Sequence, residues 1–163
     1  YVLYFGRYDK EKGIDTLLAA AKALPQLHFV FAGSGTMAEE IQQLPNATDV
    51  GFCTGDDLYR RIAAAKCSIY PSVWYENCPY SVMESIALGT PVLGTNIGGI
   101  PELIEDGKTG VLLPPGDAKA LGGALCRLDL EPERLTAMTA ACRADAFLSV
   151  QDYTDKLLSD YNA

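Results

Sequence analysis

His28-Phe29-Val30-Phe31-Ala32-Gly33-Ser34-Gly35 joins an apolar run to a glycine-rich turn and is the clearest indication of the fold class. Its apolar residues run together without polar alternation, which is typical of a strand buried on both faces of a parallel sheet. The glycine-rich turn that follows leads into a predicted helix near residues 36–44. The stretch therefore predicts one strand-to-helix unit of an α/β fold.

The same alternation continues in both directions along the chain. Strands are predicted at residues 1–5, 28–32, 48–51, 67–70, 91–94 and 110–113. Helices are predicted near residues 16–24, 36–44, 56–65, 80–88, 99–104 and 118–128, with two C-terminal helical runs near 131–147 and 150–161. Asp15 and Asp117 are expected to cap their helices. The pattern predicts an α/β fold, a Rossmann-like parallel sheet with helices on both faces.

Composition limits the possible functions. The 163 residues suit one domain, with C-terminal helices over 131–163, and the net charge of −8 disfavours nucleic acid as a partner. Five cysteines without a Cys-x-x-Cys pair and a single histidine predict neither a disulfide framework nor a metal site. Reduced thiols favour a cytoplasmic protein. Because the chain opens directly on a strand without Met, we expect it to be part of a longer protein.

Two basic residues follow the first strand. Arg7 and Lys12 would overhang the carboxyl edge of the sheet, where parallel α/β folds bind ligands. A guanidinium and an ammonium on one loop can hold two phosphates. The alternative interpretation is a pair of ordinary surface charges.

The segment of residues 76–84 carries two carboxylates, Glu76 before a helix and Glu84 within it. The helix would begin near Pro79, and the free N–H groups of residues 79–82 would attract an anion. Carboxylates on either side would accept hydrogen bonds from sugar hydroxyls. Arg7, Lys12 and the leading amides should together form an electropositive notch. Alternatively, Glu76 is only a loop acid and Glu84 is exposed.

Two glycine turns also precede helices. Gly98 and Gly99 would let the backbone approach a ligand closely, or they would simply make a tight turn. Gly33 to Ala38 fits the G-x-G-x-x-A pattern of dinucleotide-binding oxidoreductases, with Asp49 as a ribose acid placed somewhat too early. That pattern follows the second strand, however, and leaves the basic pair unused. An NAD(P)-binding Rossmann domain therefore stays open as an alternative.

The order of these motifs resembles the C-terminal domain of family 4 (group 1) glycosyltransferases, retaining enzymes of the GT-B fold. The motifs are Gly-Arg, Glu-Lys-Gly, Gly-x-Gly, Pro-Ser, E-x7-E, Gly-Thr-Pro-Val and Gly-Gly-x-Pro-Glu, and the resemblance covers residues 2 to 128. It implies that Arg7 and Lys12 hold the donor diphosphate, that Glu76 contacts the donor sugar and that Glu84 binds the ribose. The resemblance further implies that donor binding involves Gly6, Gly33, Gly35, Phe52 (near the base), Asn77, Cys78, Pro79 and Tyr80.

The resemblance also implies a reaction and partners. The donor would be a nucleoside-diphosphate sugar, with UDP the first expectation and GDP or ADP open. Transfer to an acceptor hydroxyl would retain configuration and need no cofactor or metal, since no Asp-x-Asp cluster occurs. A missing N-terminal domain would carry the acceptor site, so this chain alone should be inactive or nearly so. That domain could also place the enzyme at the inner face of a membrane. A non-catalytic nucleotide-binding module is a further alternative.

Overall fold

The computed structural model describes residues 1–144, 147 and 150–161, which form a six-stranded sheet and eight α-helices. The strands are β1 (Val2–Arg7), β2 (Phe29–Ser34), β3 (Ala47–Asp49), β4 (Cys67–Tyr70), β5 (Val92–Thr95) and β6 (Gly110–Leu113). The helices are α1 (Ile14–Lys22), α2 (Ala38–Gln42), α3 (Gly55–Ala64), α4 (Tyr80–Ala87), α5 (Ile100–Leu103), α6 (Ala118–Leu130), α7 (Pro132–Ala144) and α8 (Val150–Tyr161).

The sheet is parallel throughout, with the strand order β3-β2-β1-β4-β5-β6. This order confirms the predicted Rossmann-like fold. The chain runs outward from β1 through β2 to β3, then returns to β4 on the other side of β1. The boundary between β1 and β4 is therefore a topological switch point, and ligands of open α/β sheets bind outside the carboxyl ends of the strands at such a point.

Helices cover both faces of the sheet because the side chains of each strand alternate between the faces. On one face, Tyr4 and Phe31 pack in a core that includes Leu17 of α1 and Leu125 of α6. On the other face, Leu3 and Phe5 pack with Ile62 of α3. A further cluster around Val82 and Ile86 anchors α4 beside β4 and β5. This packing fixes the start of α4 near the switch point.

Several predicted boundaries need correction. Helix α1 begins at Ile14 after Gly13, whose φ of 73° is readily adopted only by glycine, so Asp15 lies inside the first turn instead of capping it. Residues 10–12 form a 3-10 helix that was not predicted. Helix α2 is shorter than predicted, because the Met37 N–H donates to the Tyr8 carbonyl and holds residues 36 and 37 in a turn.

Helices α6, α7 and α8 correspond to the three C-terminal runs predicted to be helical, except that residue 147, predicted to be part of the second run, is not helical. Asp117 caps α6 by accepting a hydrogen bond from the Ala120 N–H at 2.8 Å. Helix α7 buries Met138 and Cys142 against the domain. The predicted run of residues 131–147 extends over 145 and 146, which lie outside the described residues, as do 148, 149, 162 and 163. None of the described helices combines the length and apolar character needed to cross a membrane.

Candidate functional site

A cleft of about 360 Å³ opens at the carboxyl ends of β1 and β4. It occupies the topological switch point of the sheet. Its lining combines residues from β1, the loop after it, β4, and the segment that leads into α4. These residues are Tyr4, Phe5, Gly6, Arg7, Lys12, Tyr70, Glu76, Cys78, Pro79, Tyr80, Ser81 and Glu84. The structure thus brings eight of the twelve predicted site residues to one place.

Arg7 lies at the end of β1 and reaches the cleft with an exposed side chain. Its guanidinium donates to Asp9 through Nη1 and to Glu11 through Nη2, both at 2.8 Å. The hydrogen bond with Glu11 and the charge of Asp9 raise the pKa of Arg7, so the group stays cationic. Two carboxylates therefore fix the direction of a cation that remains accessible to a ligand.

Lys12 and Glu76 meet across the cleft in a half-buried ion pair. Lys12 Nζ lies 2.6 Å from Glu76 Oε1, although 64 residues separate them. Burial alone would lower the pKa of Lys12, but the hydrogen bond with Glu76 and the neighbouring Tyr70 outweigh it and raise the pKa. Ser72 Oγ also donates to Glu76 Oε1, at 3.1 Å. The side chain of Glu76 is thus held in place by partners on two different loops.

Glycines hold the segment of residues 71–77, which carries Glu76, from both sides. A Cβ on Gly13 would lie 1.9 Å from the Pro71 carbonyl oxygen, and one on Gly99 would lie 1.8 Å from the Asn77 oxygen. The Gly99 N–H donates to the Glu76 carbonyl at 2.7 Å. Because only glycine permits these approaches, Gly98 and Gly99 support the Glu76 segment.

The first turn of α4 faces the same cleft. Pro79 precedes the helix and has no N–H, and no side chain caps the turn. The Val82 N–H donates to the Pro79 carbonyl at 3.1 Å. Of the four residues predicted to present amides, Tyr80 and Ser81 therefore remain as the two that can offer an N–H to a ligand. Their position at the N-terminus of a helix favours an anion.

Glu84 lies one turn further along α4, on the same face as Tyr80. Burial raises the pKa of Glu84. Its side chain also borders a hollow between α3 and α4 that is lined by Tyr59, Ala87 and Leu88. Glu84 therefore stands where the cleft meets this second hollow, and its carboxylate can accept hydrogen bonds from either side.

Four predicted site residues lie outside the cleft lining. Gly33 and Gly35 pack beneath the Arg7 loop, where a Cβ would lie 1.9 Å from the Gly6 oxygen and 2.6 Å from the Tyr8 nitrogen, respectively. Asn77 is exposed, with its backbone against Gly99. Phe52 follows β3 and its side chain is 77% exposed. The two glycines thus shape the loop that carries Arg7.

The expected electropositive notch needs correction. Two cations, Arg7 and Lys12, line the cleft, but so do two carboxylates, Glu76 and Glu84. Each cation is also bound to a carboxylate. The sequence could not show this because the Lys12–Glu76 pair forms only when β1 and β4 lie side by side. An anionic ligand must therefore compete with Glu76 for Lys12, whereas Arg7 stays exposed beside its two carboxylate partners.

Three more polar residues lie at the site, of which Ser72 belongs to the Pro-Ser motif, whereas Tyr4 and Tyr70 were not predicted there. Tyr4 donates from its hydroxyl to the Arg7 carbonyl at 2.6 Å. Tyr70 places its ring 5.9 Å from Lys12 Nζ. Ser72, almost fully buried, links Glu76 to the Trp74 backbone. Their signal was present, since all three lie in or directly after β1 and β4, and polar groups at the carboxyl ends of adjacent strands converge.

The dinucleotide-binding alternative loses its ribose acid in the structure. Asp49 accepts hydrogen bonds from the Tyr8 hydroxyl at 2.9 Å and from the Gly51 N–H at 3.0 Å, so it serves to connect two loops. Within the described part of the chain, no group of three or more His, Cys, Asp or Glu side chains could hold a metal ion. The cleft itself offers two cations, two carboxylates and the amides at the start of α4.

Comparisons with known proteins agree with this geometry. The family model described as "Glycosyl transferases group 1" matches residues 1–129. A sulfoquinovosyl transferase from Arabidopsis thaliana is 32% identical over 124 residues, which cover 72% of this chain and 24% of that protein. This chain therefore spans only part of that relative.

Two solved structures share the fold. The sucrose-phosphate synthase of Thermosynechococcus elongatus is 30% identical with a TM-score of 0.78, over 88% of this chain and 39% of that one. Anabaena HepE in complex with UDP is 23% identical with a TM-score of 0.79, over 88% of this chain and 42% of that one. The chain thus belongs to the group 1 glycosyl transferases and has the fold of the C-terminal half of a GT-B glycosyltransferase.

Proposed function

We propose that this chain is the donor-binding domain of a retaining glycosyltransferase that moves a sugar from a nucleoside diphosphate to an acceptor hydroxyl. The observation that carries the proposal is the cleft at the β1–β4 boundary, where Arg7, Lys12 and the start of α4 meet Glu76 and Glu84. UDP is the first candidate nucleotide, because HepE of the same fold is described with UDP. GDP and ADP are the alternatives to test.

The diphosphate would bind between Arg7, Lys12 and the amides of Tyr80 and Ser81. As the bond between the sugar and the diphosphate breaks, negative charge grows on the leaving group, and donors already aimed at it stabilise that charge. Arg7 suits this task because Asp9 and Glu11 restrain its guanidinium. Lys12 would leave Glu76 and pair with phosphate, which frees the carboxylate at the same step.

Glu76 and Glu84 would bind the two ends of the donor. Once Lys12 has turned to the diphosphate, Glu76 can accept hydrogen bonds from the sugar hydroxyls and orient the ring. Ser72 would keep the carboxylate in position during this exchange. Glu84 would accept from the ribose hydroxyls, and the hollow beyond it leads towards the base. We propose that Phe52 contacts the base from the loop after β3.

Two further parts of the proposal concern what the reaction needs. Neutralisation of the leaving diphosphate by Arg7, Lys12 and helix amides makes a metal ion unnecessary. A second domain would bring the acceptor and close the cleft against water, so this chain by itself would transfer little or no sugar. We also propose a cytoplasmic location, with any contact to a membrane made by that second domain.

Calorimetry on the 163-residue chain tests donor binding. UDP should bind in the presence of EDTA, and Lys12→Met should weaken binding by about 10- to 100-fold, as expected for loss of a charge-assisted hydrogen bond. Arg7→Ala should also weaken it. Lys66→Ala is a matched control, because Lys66 forms a similar ion pair with Asp129 at 2.7 Å but precedes β4 at the opposite edge of the sheet.

Three outcomes of the calorimetry would contradict the proposal. UDP, GDP and ADP that all fail to bind would remove the donor site, and binding that EDTA abolishes would remove metal independence. Equal affinity in the Lys12→Met and Lys66→Ala variants would place the diphosphate elsewhere.

Retention is tested in a protein that also carries the acceptor-binding half, by NMR of the anomeric configuration of its product, and inversion would refute it. No transfer by that protein would favour a non-catalytic module.

A further inference from the structure

Tyr70 lies at the end of β4 with its ring beneath the ammonium group of Lys12. The distance from Lys12 Nζ to the ring centroid is 5.9 Å, within the range of a cation–π contact. The side chain of Tyr70 is 9% exposed and packs in the same cluster as Val82 and Ile86. The ring is therefore held by the core and cannot follow Lys12 if that side chain moves.

The surroundings of Tyr70 keep its hydroxyl neutral. Burial raises the pKa of Tyr70, and the nearby Lys12 and Ser81 offset only part of that effect. The ring thus presents an uncharged, electron-rich face to the ammonium, and it does not compete with Glu76 as an anion would. Tyr70 and Glu76 contact the same cation in different ways, Tyr70 by its ring and hydroxyl and Glu76 by its carboxylate.

A bound diphosphate would break the contact of Lys12 with Glu76 but not its contact with Tyr70. Lys12 must release Glu76 to pair with phosphate, but nothing requires it to leave the ring of Tyr70. An ammonium on a flexible four-carbon chain would otherwise lose more conformational freedom on binding the ligand. A ring that contacts the cation before and after the exchange would restrict Lys12 to the cleft throughout.

We propose that Tyr70 is a positioning residue for Lys12 and that its ring keeps the ammonium directed at the donor diphosphate. The inference rests on the proposed donor-binding function and deepens it. It assigns the larger part of the role to the ring and a smaller part to the hydroxyl, which also contacts the ammonium. Tyr70→Phe should therefore weaken donor binding less than Tyr70→Leu does.

A double-mutant cycle with Lys12→Met separates this role from a merely structural one. Calorimetry should show that Tyr70→Leu weakens UDP binding by between about 2-fold and 30-fold, the range that a cation–π contact spans. Tyr70→Phe, which keeps the ring and loses only the hydroxyl, should weaken it by less than Tyr70→Leu does. In a Lys12→Met background, Tyr70→Leu should have no further effect. Phe29→Leu is the control for the loss of a buried ring, since Phe29 lies at the amino end of β2.

NMR titration of the Lys12 side chain gives a second readout that needs no ligand. Loss of the ring should lower the pKa of Lys12, and Phe29→Leu should leave it unchanged. Equal UDP affinity in Tyr70→Leu and wild type, or an effect that persists in the Lys12→Met background, would overturn the inference. If UDP does not bind at all, the proposed function fails, and an unchanged pKa of Lys12 in Tyr70→Leu would then overturn the inference independently.

Discussion

Gly99→Ala tests whether close backbone packing sets the position of Glu76. The backbone of Gly99 has φ −85° and ψ 0°, a conformation open to alanine, so the substitution adds a contact without straining the backbone. The added Cβ would lie 1.8 Å from the carbonyl oxygen of Asn77. Any effect therefore reports on the distance between residue 99 and the segment of residues 76 and 77.

The expected size follows from this geometry. An ordinary contact between a Cβ and a neighbouring atom begins near 3.4 Å. Either the segment of residues 76 and 77 or the turn at Gly99 must therefore move by about 1.6 Å. Overpacking of this kind costs about 1–3 kcal/mol of stability. A displacement of about 1 Å at a reacting group can reduce the rate roughly 100-fold. We expect a similar loss of transfer in a protein that also carries the acceptor-binding half.

Calorimetry on the 163-residue chain separates the sugar from the nucleotide. The Gly99→Ala variant should bind a UDP-sugar no better than UDP, because the displaced Glu76 no longer meets the sugar. Gly122→Ala is the matched control, since a Cβ there meets nothing within 4 Å and alanine in a helix should raise stability by about 0.5–1 kcal/mol. A folded Gly99→Ala variant that still prefers the UDP-sugar as the wild type does would refute the reasoning.

Two further predictions concern Glu84 and Asp117. Because burial raises the pKa of Glu84 in the folded chain, its ionisation disfavours folding as the pH rises through that raised value. Glu84→Gln should therefore raise the melting temperature at neutral pH but not in acid, and it should lower the affinity for UDP. Melting curves across pH check the stability, and calorimetry checks the affinity. A lower melting temperature at neutral pH would contradict the predicted gain in stability. Asp117→Ala removes the cap on the Ala120 N–H and should cost about 1 kcal/mol, or roughly 2–4 °C, with UDP affinity unchanged. An equal melting temperature would show that the cap contributes nothing.

Local patterns in the sequence were enough to find the strands and most helices. Residues 67–70 and 110–113 were predicted with the bounds that β4 and β6 have, because short apolar runs are flanked there by polar residues and turns. The sequence predicts that α1 starts at residue 16 with Asp15 as its cap. In the structure the helix starts at Ile14, because Gly13 before it adopts a left-handed conformation. The error at α2 arose from a hydrogen bond to Tyr8, which lies far away in the sequence.

Most residues of the candidate site could be predicted from the sequence, but the ion pairs between them could not. Arg7, Lys12 and Glu76 stand out because each lies next to a strand end. That Lys12 binds Glu76 depends on the adjacency of β1 and β4, which no local pattern reveals. The sequence leaves open whether Gly99 approaches a ligand or only makes a turn, and in the structure its backbone packs against Asn77. For Tyr70 the sequence predicts only the end of a strand.

The pairing of both cations with carboxylates has a consequence for selectivity. A bare basic pocket would attract any small anion in the cell, and added salt would weaken that attraction steeply. Here an incoming anion gains only the difference between its own contacts and those that Asp9, Glu11 and Glu76 already make. Inorganic phosphate, which can reach few partners at once, should therefore compete poorly with a ligand that engages Lys12, the helix amides and Glu84 together. The ion pairs within the cleft would thus favour a ligand that is long enough to reach several of its groups at once.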